Sequence, residues 1–434
     1  MDTIFALSSA AGRSGVAVVR ISGPRARPAL EALSGRPAPE PRRAGLRRLR
    51  APDGELIDHA IVLYFKGPAS FSGEDVVELH LHGGRAIVDG VLSALGRIEG
   101  LRPAEPGEFT RRAVENGKLD LTQAEAIADL VAAETESQRK QALEQYGGAL
   151  RTLYEGWRQK LVRATALAEA AIDFSEEELR PTVAGEADEI THEVLSEIRS
   201  HLADARRGEL TREGIYLTVI GPPNSGKSSL INVLAQRDVA IVSETAGTTR
   251  DVIEVRLDLA GYAVTVADTA GLRAAAEAIE AEGVRRALAR AESADLVLLL
   301  LDGSATDPRA GLPPDLRSDL LVWNKVDLSW PVAREGLAIS TKTGQGIPEL
   351  IDSISKRVRE KLDKSGAAPL LTRARHRHAL EQAVKLLSGA LTERESELKA
   401  ENLRLALREI GRITGRVDVE DLLDVIFRDF CIGK

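Results

Sequence analysis

The sequence predicts a multidomain chain that combines α/β with all-α architecture, on three observations. Residues 1 to about 117 carry short β-rich runs punctuated by Gly and Pro. From Leu119 the texture changes to long Ala-, Leu- and Glu-rich stretches. Strand-and-loop alternation returns from Ile215 to about Lys361, and a last helical stretch closes the chain. A length of 434 residues exceeds one typical domain, so two or three are expected. The apolar share of 43% is enough to bury cores of that number.

In chain order, Gly15 to Arg20 (GVAVVR), Ala60 to Phe65 (AIVLYF) and Val76 to Leu81 (VVELHL) are predicted strands. Gly35 to Arg50 is Pro- and Arg-rich and is predicted to be a loop, while Arg85 to Ile98 has helical spacing. Thr122-Gln-Ala-Glu125 resembles a capping box and opens helix running to about Phe174. More helix is predicted from Glu186 to Glu209 and from Arg373 to Phe430. Helices thus lie on both sides of the central α/β block. Each is amphipathic and needs a partner, which favours one helical domain with the α/β block inserted into it.

Bulk properties exclude several classes. The single cysteine, Cys431, rules out an internal disulfide framework and fits a reducing cytosol. The start, Met1 to Phe5, has no basic region followed by an apolar core, so no signal peptide is expected. The longest apolar run, Leu296 to Leu301, is far too short for a membrane span. A net charge of −8 implies no general attraction to polyanions. Two local basic patches, Arg42 to Arg50 and Arg373 to His378, are expected to be solvated loops and helix faces.

The chemistry is concentrated in the central block. Ile215 to Ile220 is a predicted strand that runs into Gly221-Pro-Pro-Asn-Ser-Gly-Lys227-Ser228, which opens a helix. This is G-x-x-x-x-G-K-S in the strand–loop–helix setting that gives the motif its meaning. Glycines let backbone N–H groups turn inward around a phosphate, and the helix N-terminus adds a favourable dipole. Lys227 can reach the β and γ phosphates, and Ser228 offers a hydroxyl to Mg²⁺. Three further pieces select the nucleotide. Thr248-Thr249-Arg250-Asp251 precedes a strand, and Thr249 can complete the Mg²⁺ shell. Asp268-Thr-Ala-Gly271 ends a strand; Asp268 would hold Mg²⁺ through water and the Gly271 amide would sense the γ-phosphate. Asn324-Lys325-Val-Asp327 ends another strand, where the Asp327 carboxylate can accept from guanine N1–H and the exocyclic amine. Adenine lacks those donors and would leave buried groups unpaired. Ser340-Thr341-Lys342 then supplies a backbone contact to the base. Five motifs in this order define a GTP-binding domain.

The residue after Asp-Thr-Ala-Gly is Leu272, which cannot orient water. Glu277, Glu280 and Glu282 follow, and spacing alone does not choose among them. Asn224 lies inside the phosphate loop, where its side-chain oxygen can coordinate a monovalent cation beside the phosphates.

From end to end the chain resembles the bacterial tRNA-modification GTPases of the MnmE (TrmE) family. The resemblance rests on Asp2-Thr-Ile, Val19-Arg20-Ile-Ser-Gly23, Phe71-Ser-Gly-Glu-Asp75, His82-Gly-Gly84, Pro106-Gly-Glu-Phe109, Lys118-Leu-Asp-Leu121 and Gln123 to Asp129. It continues through Ala171-Ile-Asp-Phe174, Ala246 to Asp251 and the terminal Cys431-Ile-Gly-Lys434. It implies an N-terminal folate-binding α/β domain at 1–117. A discontinuous helical domain would occupy 118–210 and 362–434, and an inserted Ras-like P-loop G domain 211–361.

The implied protein is a cytoplasmic homodimer with no membrane contact. It would be a K⁺-dependent GTPase whose hydrolysis is driven by G-domain dimerisation. With the FAD-dependent partner MnmG (GidA), in a heterotetramer, it would install a carboxymethylaminomethyl group at C5 of the wobble uridine of certain tRNAs. GTP, Mg²⁺, K⁺ and 5-formyltetrahydrofolate or a related tetrahydrofolate are the implied small molecules.

Carried over by position, Asn224, Ser243, Thr245 and Thr248 would ligate K⁺, and Ser228 and Thr249 would ligate Mg²⁺. Glu280 would orient water, beside Lys227. The nucleotide would touch Asn224, Ser225, Gly226, Lys227, Ser228 and Ser229, and Ser243, Glu244, Thr245, Ala246, Gly247, Thr248 and Thr249. It would also touch Asp268, Thr269, Ala270 and Gly271, then Asn324, Lys325, Val326 and Asp327, and finally Ser340, Thr341 and Lys342. Arg20, Glu78, Lys118 and Lys434 would contact the folate: its carboxylates suit Arg and Lys, and Glu78 can accept from the pterin. Read without the resemblance, Arg20 and Glu78 are strand-surface residues. Two other classes stand beside this one, a ribosome-assembly switch with RNA-binding flanks and a septin-like structural GTPase, and the second lacks a polymerising or membrane-binding segment.

Cys431 sits in a terminal CIGK that is a poor prenylation signal, because Gly433 and Lys434 do not suit it. Apolar Val425, Ile426, Phe427 and Phe430 are expected to tie the end down. Cys431 is then either a packed structural thiol or a nucleophile near the one-carbon chemistry.

Overall fold

A computed structural model describes residues 2–173, 180–237, 239–241, 254–268, 292–313, 316–329, 335–363 and 371–417, with 423, 426, 427, 430, 432 and 433 near the C-terminus. Two compact units divide the chain: 1–128 with 145–191 and 389–434, and 129–144 with 192–388.

In the first unit a six-stranded sheet has the order β3-β4-β5-β2-β1-β6. Its strands are β1 (Thr3–Leu7), β2 (Ser14–Ser22), β3 (Gly45–Arg50), β4 (Leu56–Phe65), β5 (Val76–Gly83) and β6 (Leu101–Pro103). Helices α1 (Ala26–Ser34) and α2 (Arg85–Gly96) cover one face. The three expected strands are present and longer than predicted. β3 lies where a loop was expected. Its arginines mask the strand pattern, yet only Leu49 needs to be buried, and a charged edge strand resists pairing with other chains.

Alternation decides the faces. On β5, Val77, Leu79 and Leu81 enter the core under the helices, which leaves Glu78, His80 and His82 on the opposite face. On β2, Val19 and Ile21 do the same and Arg20 turns away. That second face is closed at one end by Ile4, Ala6, Ala104 and Phe109 of α3 (Glu108–Glu115), with Phe71 against them. Beside it the Arg112 guanidinium, 8% exposed, bonds Asp2 at 2.8 Å, Glu108 at 2.9 Å and Glu74 at 3.2 Å. Arg102 adds bonds to Asp2 and Glu108. This network clasps the N-terminus, the 70–75 loop and α3.

Next come α4 (Leu121–Ala132), α5 (Glu136–Tyr146), α6 (Ala149–Asp173), α7 (Arg180–Ala203) and α8 (Ala205–Glu213). The helix start differs from the predicted box. Asp120 caps α4 by accepting from the Gln123 N–H at 2.9 Å, and Gln123 Oε1 accepts from the Asp120 N–H at 3.2 Å. Thr122 lies inside the helix, because Leu121 is already needed in the core. After the central block come α11 (Ala374–Thr392) and α12 (Ser396–Thr414). α6 and α12 pack antiparallel, with Glu169–Arg404 and Glu155–Arg416 pairs along the seam. Segments from before and after the central block therefore share one interface.

In the second unit a sheet of order β12-β11-β10-β7-β9-β8 is parallel except for β8. Its strands are β7 (Ile215–Ile220), β8 (Glu254–Leu259), β9 (Tyr262–Asp268), β10 (Leu296–Asp302), β11 (Leu320–Asn324) and β12 (Leu337–Ala338). The apolar run Leu296 to Leu301 forms β10, buried on both faces as a central parallel strand must be. Helices α9 (Lys227–Ala235) and α10 (Ile347–Leu362) join the core of this sheet through Leu230, Leu234, Leu350 and Ile354. The predicted basic patch at 373–378 is partly folded inward: Arg373 pairs with Asp129 at 2.7 Å, and His376 is buried. No helix among the described residues is long and apolar enough to cross a membrane.

Candidate guanine-nucleotide site and the open face of the N-terminal sheet

Parallel strands align their C-terminal ends, and ligands of such sheets sit outside those ends. Register places Val219 of β7 beside Asp268 of β9, and Asp302 of β10 beside Asn324 of β11. The phosphate-loop strand β7 therefore lies between β9, which ends in D-T-A-G, and β10, with the N-K-x-D strand β11 on the far side of β10. Only the backbone of Asp268 is described, at the end of β9.

The loop from Gly221 to Gly226 is shaped by contacts that forbid side chains. A Cβ at Gly221 would meet the Leu300 carbonyl at 2.1 Å, and one at Gly226 would meet Asn324 Nδ2 at 2.2 Å. Gly226 has φ +99° and Asn224 φ +62°, the left-handed region that Gly and Asn tolerate. Gly226 caps α9 without a side-chain bond, so the first N–H groups of the helix face the loop. Lys227 Nζ folds over the loop onto the Gly221 and Pro222 carbonyls, each at 2.9 Å. Ser228 and Ser229 are exposed on the first turn.

Asn324 does more than the sequence indicated. Its Nδ2 donates to the Ser225 carbonyl at 2.8 Å, and its Oδ1 accepts from the Thr341 N–H at 3.1 Å. One buried amide thus ties the phosphate loop to the Ser340–Lys342 loop. Asp327 Oδ1 accepts from Ser340 Oγ at 2.7 Å, which fixes the carboxylate against the same loop. Lys325, at φ +62°, reaches Asp302 at 2.7 Å. Burial raises the Asp302 pKa, but the bonds from Lys325 and Ser304 outweigh it and hold the carboxyl below its ordinary range. Val326 follows between Lys325 and Asp327. Motif spacing gave no signal of the Asn324 tie or the Lys325–Asp302 pair, because both join residues far apart in the chain.

Asn324→Ala removes both bonds and leaves a buried carbonyl and amide unpaired. It is expected to weaken GTP binding roughly 50- to 100-fold, read by titration with a fluorescent analogue. Unchanged affinity would show that the two loops are held by other means.

Ser243, Glu244, Thr245, Ala246, Gly247, Thr248, Thr249, Thr269, Ala270, Gly271, Glu277, Glu280 and Glu282 lie outside the described residues, as do Cys431 and Lys434.

On the N-terminal sheet, Arg20 and Glu78 are cross-strand partners, with Arg20 Nε and Nη2 on one carboxylate oxygen at 3.1 and 2.9 Å. The guanidinium lies 5.3 Å from the Phe71 ring centre and 5.8 Å from that of Phe109. Lys118 donates to the Pro68 carbonyl at 3.0 Å, in the loop that carries Phe71. The C-terminal tail arrives at the same end: Ile432 bridges to Pro106, and Ser8 Oγ donates to the Gly433 carbonyl at 2.9 Å. Phe427 and Phe430 anchor it against Leu121 and Ala124. The tail is therefore docked beside β1, whose Ala6 pairs with Arg20.

A strand–loop–helix phosphate cradle joined to a base-reading Asn-Lys-x-Asp turn defines a guanine-nucleotide-binding P-loop protein. Two family descriptions match the chain: "GTP-binding protein TrmE N-terminus" over residues 3–118 and "MnmE helical domain" over residues 121–431. The tRNA modification GTPase MnmE of Parvibaculum lavamentivorans is 55% identical, and that of Paramagnetospirillum magneticum 54%, each over 100% of both chains. The chain belongs to the MnmE family of tRNA-modification GTPases, as a GTP hydrolase acting in tRNA modification.

Proposed function

We propose that the chain is a K⁺-dependent GTPase that works as a cytoplasmic homodimer. With an FAD-dependent partner of the MnmG (GidA) kind it would install a carboxymethylaminomethyl group at C5 of the wobble uridine of certain tRNAs. The proposed domains are 1–117, 118–210 with 362–434, and 211–361. The observation that carries the nucleotide part is the Asn324 tie, which places the base-reading turn against the phosphate loop.

Ser228, exposed at the start of α9, suits Mg²⁺ as a hydroxyl ligand, with Thr249 as its proposed companion. Asn224, held at positive φ beside the cradle, suits K⁺, with Ser243, Thr245 and Thr248. Such cations supply positive charge to the phosphates. Glu280 is the proposed water-orienting acid.

Arg20, Glu78, Lys118 and Lys434 are the proposed contacts of 5-formyltetrahydrofolate. The supporting observation is a half-buried Arg–Glu pair flanked by two aromatic rings and approached by the C-terminal tail. Dimerisation draws support from the open sheet face, where Leu46 and Ile61 are 66% and 50% exposed.

Mass analysis of wobble uridines in cells lacking the protein tests the reading, and unaltered uridines would overturn it. GTP turnover is expected to be roughly 10-fold or more faster in K⁺ than in Na⁺. Equal rates would remove the cation role. Glu280→Ala should keep nucleotide affinity and lose hydrolysis; surviving hydrolysis would shift the role to Glu277 or Glu282. The melting temperature should rise with 5-formyltetrahydrofolate, and no shift would count against the folate site.

A further inference from the structure

Arg42 is an arginine in a backbone conformation that arginine disfavours. Its φ is +64°, in the left-handed region that suits Gly and Asn. The conformation is held from two sides. The Arg42 N–H donates to the Tyr64 carbonyl at 2.8 Å, and Nη2 donates to the Ala69 carbonyl at 2.6 Å. The guanidinium lies 5.7 Å from the Phe65 ring centre. Lys118 Nζ donates to the Pro68 carbonyl at 3.0 Å. Two exposed cations therefore hang on consecutive residues of one loop, whose Cα atoms are about 3.8 Å apart. Among the described residues neither has a carboxylate partner.

Strand register puts these cations beside the Arg20–Glu78 pair. Glu78 lies opposite Arg20 on β2 and opposite Leu63 on β4, so all three share the open face of the sheet. Phe65 is two residues, about 7 Å, further along β4 and on the same face by alternation. Arg42 covers its ring. The loop that holds both cations also carries Phe71, whose ring centre is 5.3 Å from the Arg20 guanidinium. The face thus offers a polar pair, then half-buried Leu63 and Phe65, then two cations.

A clasp for the loop does not explain the choice of residue. Gly or Asn would carry the left-handed backbone with less strain, and a carbonyl bond leaves the guanidinium charge uncompensated. Two neighbouring cations are stabilised by an anion placed between them. With Nη2 on the Ala69 carbonyl, Nε, Nη1 and a second Nη2 proton still serve a carboxylate.

We propose that Arg42 and Lys118 together bind the carboxylates of the folate's glutamyl tail, which makes Arg42 a further ligand-binding residue of this site. This rests on the folate reading above. The ring end of the ligand meets Arg20 and Glu78, and the tail meets the two cations. Arg43 and Arg47 continue the positive strip towards β3, so a poly-γ-glutamyl tail gains more than a single glutamate. The pair of Arg43 with Glu40, at 3.1 Å, is 77% and 72% exposed and competes little.

The test titrates the full chain with two probes, 5-formyltetrahydrofolate and its tail dimethyl ester, which keeps the rings and removes the tail charge. The parent should bind the acid roughly 10-fold or more tighter than the ester. Arg42→Gln keeps an amide donor for the Ala69 carbonyl and removes the charge. It is expected to weaken the acid roughly 10-fold and the ester by less than about two-fold. The triglutamyl form should bind the parent tighter than the monoglutamyl form, by a margin that shrinks as salt rises. Equal losses for acid and ester would show a loop clasp alone and overturn the proposal, as would unchanged affinity for the acid. A fall in tRNA affinity without the acid-selective loss would assign Arg42 to RNA phosphates and also overturn it. If Arg42→Gln fails to fold, Lys118→Gln with the same two probes decides. A parent that binds neither probe overturns the folate reading and the proposal with it. A parent that binds both, beside a variant with no selective loss, overturns the proposal alone.

Discussion

Asp327→Asn is expected to lower GTP affinity by roughly 10²- to 10³-fold and to create a preference for xanthosine triphosphate. The carboxylate faces a base edge that offers two donors, N1–H and the 2-amino group. An asparagine amide presents one acceptor and one donor, so its NH₂ meets the guanine amine and both lose a partner. Xanthine carries a carbonyl at that position and accepts from the new amide. The structure makes this substitution clean. Asp327 is braced by Ser340 Oγ at 2.7 Å, and an asparagine oxygen can keep that bond, so the loop should stay in place. Competition titration with the two nucleotides measures the switch. Unchanged GTP affinity would contradict the base-reading role.

Arg112→Met should destabilise the N-terminal sheet by about 3–5 kcal/mol, because a buried cation is removed from among Asp2, Glu74 and Glu108. That corresponds to a fall on the order of 10 °C in its thermal transition. The Asp2 carboxyl is held below its ordinary range first by its bond to Arg102, and burial of Glu108 is outweighed by Arg102 and its other bonds. Both carboxylates have folded pKa values below their unfolded ones. Their contribution is therefore present above the unfolded carboxylate range, near pH 4 to 4.5, and is lost as pH falls through the folded values. The parent should lose stability below about pH 4, and the variant should lose less over the same interval. Glu74→Gln added to Arg112→Met should recover part of the loss by removing one uncompensated charge. Equal melting temperatures in parent and variant would show that the network contributes little.

The nucleotide chemistry was legible in the sequence because phosphate loops and base-reading turns are local. Each is a few residues between a strand and a helix, and strand register then sets them side by side. The alternation of Val77, Leu79 and Leu81 marked one core-facing side of β5, so the polar side was also implied. β3 was not legible, because at a sheet edge one buried leucine suffices and arginines can fill the other positions. The start of α4 was misplaced by two residues, because Asp120 and Thr122 are both good caps and burial of Leu121 chose between them.

By itself the sequence determined the guanine-nucleotide class, the layered order of α/β and helical segments, and the family to which the whole chain belongs. Only the tertiary structure decided which distant side chains meet. It joined Asn324 to Ser225 and Thr341, set Arg20 between two aromatic rings and docked the C-terminal tail beside β1. The reason is physical. Motifs and periodicity report interactions between neighbours in the chain, whereas these contacts are fixed by strand pairing and burial across separations of 17 to 425 residues.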